Sequence, residues 1–278
     1  MYQVKIGLIH IVITTMLTLG AIAILASIIY TSSILAFIGL GLIFWGAILT
    51  YVKPEEHIKK TILEAALSPS HSTLHQVIQE LAYRGNATYL PPKYFKNPET
   101  TRIYIPKLKG DTTLPTPEQI QEHEHKLFAQ NPQGITIAPP GLQLSKLVEK
   151  SLGTSFIQTD LNYLQQNLPK PLIEELEVAE NIEIQVQEEK TGKKTNVEQT
   201  TSQPKSITVN VKITNSIYAN LYRETETPTQ SLTSIGCPIC SAIAIALTKA
   251  SGKPVKIKQI QSSEDDNTTE ATYEIAEE

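Results

Sequence analysis

Two cysteines stand three positions apart in the run GCPIC, at the predicted start of an apolar helix. Cys237 and Cys240 are the only cysteines in the chain. A helix N-terminus favours a thiolate, because its unpaired N–H groups and its dipole stabilise negative charge. The spacing leaves four interpretations open: a buried structural pair, half of a metal site, a dithiol redox site, or acylation or ligand contact at Cys240.

A zinc interpretation needs more ligands than these two thiols, since structural zinc binds four. His71 and His75 are four residues apart, which places them on one helix face at a spacing that can hold a metal. His123 and His125 alternate with glutamates in EHEHK and do not share a helix face. For both histidine pairs, the interpretation that competes with metal binding is a solvated surface. No cofactor is therefore predicted, and zinc is the alternative prediction.

Catalytic motifs do not stand out in this chain. It contains no glycine-rich phosphate loop, no nucleophile elbow and no dinucleotide-binding fingerprint. No catalytic residue is therefore predicted, and a binding or scaffolding role is favoured over an enzyme.

The elements that would position the cysteines follow a clear pattern in the last third. NIEIQVQ and SITVNVKIT alternate apolar and polar residues, which predicts a hairpin with one buried face. The run from Ile239 to Leu247 is almost entirely apolar and too short to cross a bilayer, so it predicts a buried helix that Gly252 ends. PVKIKQIQ and EATYEI predict two further strands. The fold class is thus α/β (α+β), a mainly antiparallel sheet packed on helices.

The middle of the chain is rich in proline. The runs TYLPP, RIYIP and ITIAPP each end at a proline, which predicts short or edge strands. Helices are predicted at 117–130, at 142–152 and at 161–168, the last of them capped by Asp160. An earlier helix is predicted to begin at Ser70 and to stop at Gly85.

The N-terminal segment predicts a membrane anchor. Between Lys5 and Lys53 there are 47 residues without a single Asp, Glu, Lys or Arg. They divide into spans at about 7–30 and 34–52, each long enough for a bilayer core of about 30 Å. The alternative is a cleaved signal peptide followed by one span. The predicted domains are 1–53 (transmembrane hairpin), 54–85 (juxtamembrane helices), 86–180 (proline-rich mixed layer) and 181–278 (sheet and Cys-bearing helix).

Charge predicts the orientation and the partners. Lys53, Lys59 and Lys60 follow the second span, and basic residues beside spans stay in the cytoplasm. Both termini and the soluble domain are therefore predicted to be cytoplasmic at the cell membrane, with these lysines as membrane-surface candidates. A net charge of −4, with 24 basic and 28 acidic residues, argues against nucleic acid. The predicted partners are membrane lipid and either a second copy or another protein. A basic cluster from Lys249 to Lys258 has two interpretations, anionic headgroups or a plain sheet surface.

The last third also resembles a known superfamily. The order of ITNSIYANLYRE, CSAIAIAL and GKPVKI is similar to the strand, corner, helix and finishing strand of TRAPP vesicle-tethering subunits and of vinyl-reductase-type ligand-binding domains. In that comparison Cys240 stands where TRAPP-type subunits can carry an acyl chain, with Ser241 in place of their glycine. Ser262, Ser263 and Thr272 stand where the vinyl-reductase relatives have cysteines. YLPPKYF and APPGLQL also resemble archaeal membrane proteins with two spans and one cytoplasmic domain.

The resemblance to TRAPP-type and vinyl-reductase-type domains implies a non-catalytic, membrane-anchored scaffold or a module that binds a small molecule or lipid. The ligand or acyl site would lie along the apolar helix, at Cys240, Ser241, Ile243, Ala244 and Leu247. The alternative function is a thiol- or metal-based sensor that uses Cys237 and Cys240.

Overall fold

The computed structural model describes residues 2–51, 72–74, 76–122, 126–188, 207–218, 234–263 and 267–276, without side chains for 2–10, 51 and 188. The chain divides into two units, Met1–Lys59 and Lys60–Glu278. The first unit is a helical hairpin and the second is a domain of mixed helix and antiparallel sheet.

The hairpin consists of α1 (Tyr2–Tyr30) and α2 (Ser33–Tyr51). Their segments Ile11–Tyr30 and Ser33–Thr50 are long and apolar enough to cross a membrane. Most of their large side chains point outward, as Phe37 does with 80% of its surface exposed. A water-soluble protein rarely exposes so continuous an apolar patch.

The second unit is built on one eight-stranded sheet in the order β3-β4-β2-β1-β7-β8-β6-β5, with every described pairing antiparallel. The strands are β1 (Thr88–Tyr89), β2 (Ile103–Pro106), β3 (Phe128–Ala129), β4 (Gly134–Ile137), β5 (Asn181–Glu188), β6 (Ile207–Thr214), β7 (Val255–Ser263) and β8 (Thr268–Ile275). The link between β1 and β7 joins the segments 86–180 and 181–278 in one sheet.

Helices pack against both faces of this sheet. One face carries α4 (Leu142–Leu152), α5 (Leu161–Asn167) and α6 (Pro238–Ser251), and the other carries the short helix α3 (Pro117–Glu122). Alternation along β6 turns Val209, Val211 and Ile213 into the main core, where α6 also lies. Alternation along β2 instead turns Tyr104 to the other face, into a smaller core that contains Ile120 of α3. The main core is thus sealed between the sheet and α4, α5 and α6.

Several sequence predictions are confirmed in detail. α4 occupies the predicted residues and ends at Gly153, whose φ of 66° is left-handed. The side chain of Asp160 accepts a hydrogen bond from the N–H of Tyr163 at 2.7 Å and caps α5. The hairpin of β5 and β6 forms where the alternating pattern placed it.

Other predictions are confirmed in part. The three proline-ended strands are short, as one of the two predicted alternatives has it, and β1, β2 and β4 lie inside the sheet, not at its edge. Their prolines are at or beyond the last paired residue, so no internal hydrogen bond is lost. The helix predicted at 117–130 ends at Glu122, because Phe128 and Ala129 pair with β4 as the edge strand β3.

The helix predicted to end at Gly85 ends earlier. Residues 72–74 and 76–80 are helical, and Ala82 takes the left-handed conformation with a φ of 58°. Gly85 does not end the helix but lies against the end of β2, where its N–H donates to the carbonyl of Pro106 at 3.0 Å. A Cβ at Gly85 would lie 2.7 Å from that carbonyl oxygen, so close approach explains this glycine.

Candidate functional site: a buried cysteine pair and an open sheet face

The first candidate site is the N-terminus of α6. Cys237 is its N-cap in an extended conformation, and Pro238 occupies the first helical position. The Sγ atom of Cys237 accepts a hydrogen bond from the N–H of Cys240 at 3.3 Å. The first cysteine therefore does the work that Ser or Asp does at other helix starts.

Two tyrosine hydroxyls hold the backbone around this helix start. Tyr273 of β8 donates to the carbonyl of Cys240 at 3.0 Å, and Tyr89 of β1 donates to the carbonyl of Ile235. Both tyrosines are fully buried, and burial is the main cause that raises their pKa values. Tyr218 also has a raised pKa, through burial first and the neighbouring Cys237 second.

The two thiols differ in acidity. The hydrogen bond with the Cys240 side chain lowers the pKa of Cys237, and the backbone N–H groups of Cys240 and Ile239 lower it further against the opposing effect of burial. The same side-chain contact and burial raise the pKa of Cys240 well above its ordinary value. This asymmetry makes Cys237 the better nucleophile or metal ligand of the pair.

Access limits what this pair can do. Cys237 exposes 4% of its surface and Cys240 none. Both are free thiols, so the pair has the composition of a reduced dithiol. Within the described ranges no three His, Cys, Asp or Glu residues are grouped to hold a metal. His71, His75, His123 and His125 lie outside the described residues, so the zinc prediction stays a prediction.

The predicted ligand-site residues lie together on α6 inside the main core. Ile243 and Ala244 are fully buried and Leu247 nearly so. The Oγ atom of Ser241 accepts a hydrogen bond from the N–H of Gly141 at 3.0 Å. A Cβ at Gly141 would lie 2.2 Å from the backbone nitrogen of Ala242, so α4 begins in direct contact with the α6 backbone. These positions are filled by protein in this structure, and their role in ligand binding stays a prediction.

Lys249, which sequence analysis grouped with surface lysines, is buried at the other end of α6. Its Nζ atom lies 3.1 Å and 3.0 Å from the two carboxylate oxygens of Glu149 on α4. Glu149 also accepts from the N–H of Phe156 at 2.9 Å and from the hydroxyl of Ser155 at 3.0 Å. Because the Lys249 side chain is only 1% exposed, it is unavailable to headgroups, and that interpretation is wrong for this residue.

An open cavity of about 480 Å³ adjoins this ion pair. It is lined by Glu99, Lys146, Glu149, Lys150, Gly153, Thr154 and Ser155. The Glu149 carboxylate in its wall is already bonded to Lys249, Phe156 and Ser155, so its acceptor sites serve the fold.

The second candidate site is the sheet face opposite α6. Alternate residues of β5, β6 and β8 point there, and in register Lys212 stands between Glu183 and Glu270. The next row contains Gln185, Asn210 and Thr272, where the Thr272 hydroxyl donates to Asn210 Oδ1 at 3.1 Å. These rows line a cavity of about 280 Å³.

A neighbouring cavity of about 440 Å³ continues this face towards the turn between β7 and β8. It shares Lys212 and Glu270 with the first cavity and adds Gln261, Ser262, Ser263 and Thr268. Sequence analysis missed this polar face as a site, although the alternation that predicted the strands also marks these residues as facing away from the core. The membrane-surface candidates Lys53, Lys59 and Lys60 lie outside the described residues.

Together these features define a class of protein with an apolar two-helix hairpin followed by a mixed domain of helices and antiparallel sheet. Residues 10–274 match the family model described as Domain of unknown function (DUF7982), so the chain belongs to this family. No curated protein and no solved structure matches the chain.

Proposed function

We propose that the protein is a non-catalytic scaffold, anchored in the cell membrane by α1 and α2, that binds a polar protein partner on the open face of its sheet. The observation that carries this proposal is the contrast between the two faces of β6. Val209 and Val211 are buried against the helices, whereas Asn210 and Lys212 line an open cavity.

The alternative form of the same role, a pocket for lipid or a small molecule along α6, has less support. The side chains that would line that pocket are packed in the main core, and Ser241 is bonded to Gly141. The open face has charged and amide groups in register, which suit directional contacts with another protein.

Membrane anchoring and orientation form part of the proposal. The length and apolar character of both helices support a span, and the lysines that follow the second helix support a cytoplasmic domain. A relationship to TRAPP-type domains is also proposed, on the order of β6, α6, β7 and β8 along the chain. The suggested archaeal affinity rests on sequence alone.

Site-specific photocrosslinking of the full-length protein in its native membrane tests the scaffold. A photoreactive residue at Asn210 should capture one discrete protein, and Lys212→Glu in the same chain should abolish the capture. The matched control places the photoreactive residue at Lys170, which is exposed with its side chain 71% accessible. Capture that is equal at both positions, or unaffected by Lys212→Glu, contradicts the proposal.

A second candidate function, a thiol- or metal-based sensor, is favoured by one observation. Cys237 accepts the N–H of Cys240, and its pKa is lowered while that of Cys240 is raised. Such asymmetry is typical of a reactive dithiol. Cys237→Ser with Cys240→Ser should leave folding and partner capture intact if the protein is a scaffold. The same double variant should abolish a zinc- or oxidant-dependent response if it is a sensor.

A further inference from the structure

The two edges of the sheet differ in length and protection. One edge is β3, which has two residues, and the other is β5, which has eight. Edge strands usually remain short or contain Pro, Lys or a bulge, because an unpaired edge attracts other strands. β5 has the sequence NIEIQVQE and pairs with β6 in unbroken register over its full length. No strand among the described residues pairs with its outer side.

The backbone groups on that outer side can be assigned from the ladder. The N–H of Asn215 donates to the carbonyl of Asn267 at 3.0 Å, which extends the register of β6 with β8 by one residue. The direction of backbone hydrogen bonding alternates along a strand. In β6 the backbone groups of Val211 and Ile213 therefore bond to β8, whereas those of Asn210 and Lys212 bond to β5. Gln185 of β5 is the partner of Asn210, so its backbone groups bond to β6. Its neighbours Ile184 and Val186 therefore direct their N–H and C=O groups outward, away from β6.

We propose that β5 of one copy pairs antiparallel with β5 of a second copy, about a two-fold axis that passes beside Gln185. The two eight-stranded sheets then form one continuous sheet, with Gln185 opposite its own counterpart. This inference goes beyond the proposed function, because it concerns contact between copies rather than the binding of another protein.

Side-chain pattern and charge restrict the register, and an axis at Gln185 satisfies both. Pairing must keep the apolar residues of both copies on one face, which removes every register that shifts the strands by one residue. An axis at Glu183 would place two carboxylates opposite each other, which is unfavourable. An axis at Gln185 places Glu183 opposite Gln187 and Ile184 opposite Val186, and it opposes no like charges along the strand.

A second copy suits this edge for two reasons. The strand is self-complementary in the register above, as a two-fold contact requires, since each patch must fit itself. The membrane anchoring proposed for α1 and α2 would also hold copies in one plane, which raises their effective concentration for a weak edge contact.

Disulfide trapping tests the interface in the full-length protein reconstituted into phosphatidylcholine vesicles. Gln185→Cys should form a disulfide-linked dimer under a mild oxidant, because non-hydrogen-bonded antiparallel pairs bring side chains close. The matched control is Lys212→Cys, an exposed position on the same face but one strand further from the axis. The parent chain, whose two cysteines are buried, should remain monomeric on the gel.

A charge variant checks the same interface without crosslinking. Gln185→Lys should weaken dimerisation about fivefold, since two like charges would face each other across the axis. Asn210→Lys, opposite Gln185 within one copy, should change it little. Absence of a dimer with Gln185→Cys, or equal trapping at Lys212→Cys, would overturn the proposal. These outcomes are independent of partner capture at Asn210, so either proposal can fail alone.

Discussion

Lys249 on α6 donates to both carboxylate oxygens of Glu149 on α4, at 3.1 Å and 3.0 Å, although the two residues are 100 positions apart in the sequence. The Lys249 side chain is 1% exposed and that of Glu149 is 10% exposed. The pair connects α6, at whose start the cysteines lie, to α4, whose N-cap is Gly141, so it helps to fix the position of α6.

Removing one partner of this pair should be costly. We expect Glu149→Ala to lower the free energy of unfolding by about 3–5 kcal/mol, because it leaves a buried cation without its counter-charge. Far-ultraviolet circular dichroism of the detergent-solubilised chain during denaturation would measure this loss.

A double variant provides the control for this prediction. Glu149→Leu combined with Lys249→Met removes both charges and should be more stable than Glu149→Ala. If Glu149→Ala costs no more than an ordinary surface substitution, of about 0.5 kcal/mol, the pair contributes little to the fold.

This ion pair shows where sequence reasoning reaches its limit. Lys249 stands near three other lysines, and a local charge pattern predicts a solvated surface. Its partner lies on another helix, and local periodicity carries no information on which distant residues meet. Cys237 could be placed at a helix start from sequence alone, because Pro238 and the apolar run that follows are local signals.

The sheet shows the same division. β5 and β6 were predictable because each has a long alternation of apolar and polar residues and the two strands follow each other in the sequence. The interior position of β1 was not, because β1 is two residues long and its neighbour β7 comes from the far end of the sequence. The open polar face depends on which strands become neighbours, so its cavities follow from topology rather than from any single strand.

Gly141 should tolerate no side chain. An added Cβ would meet the backbone nitrogen of Ala242 at 2.2 Å and the carbonyl oxygen of Pro238 at 2.4 Å. Gly141→Ala should therefore push α4 away from α6 and lower the free energy of unfolding by about 3 kcal/mol. Chemical denaturation followed by circular dichroism would measure the change.

Gly153→Ala, at the other end of α4, is the matched control, because a side chain added there has free space around it. A Cβ at Gly153 would meet nothing within 4 Å, but its φ of 66° is left-handed. Its expected cost is backbone strain alone, about 1–2 kcal/mol. Equal losses in the two variants would show that close packing at Gly141 is not the main effect.

Tyr273 should make the protein sensitive to alkali. Burial is the largest cause that raises its pKa, followed by the neighbouring thiols, so the folded state retains the proton where an unfolded tyrosine, with a pKa of about 10, has lost it. Its contribution to stability is present below about pH 10 and is lost as the pH rises further. Unfolding free energies measured across this range should decrease.

Tyr273→Phe isolates this contribution. The variant should lose about 1 kcal/mol at neutral pH, because the hydrogen bond to the Cys240 carbonyl is gone. Above about pH 10 its stability should decrease less steeply than that of the wild type, since one ionisation has been removed. Parallel decreases in both proteins would mean that Tyr273 already ionises in the folded state.

The close approach of α1 and α2 should depend on the absence of a side chain at Gly39. A Cβ there would lie 2.8 Å from the carbonyl oxygen of Gly20 and 2.8 Å from Cγ1 of Ile24, whereas a Cβ at Gly41 would meet nothing within 4 Å. Gly39→Leu should therefore separate the helices and cost about 2 kcal/mol, because small residues allow close packing in an apolar environment. Gly41→Leu adds the same side chain facing outward and should cost little. Trp45 on α2 is the only tryptophan, so its fluorescence during thermal unfolding in detergent reports on the hairpin alone. An equal decrease in the unfolding midpoint for both variants would contradict the predicted contact.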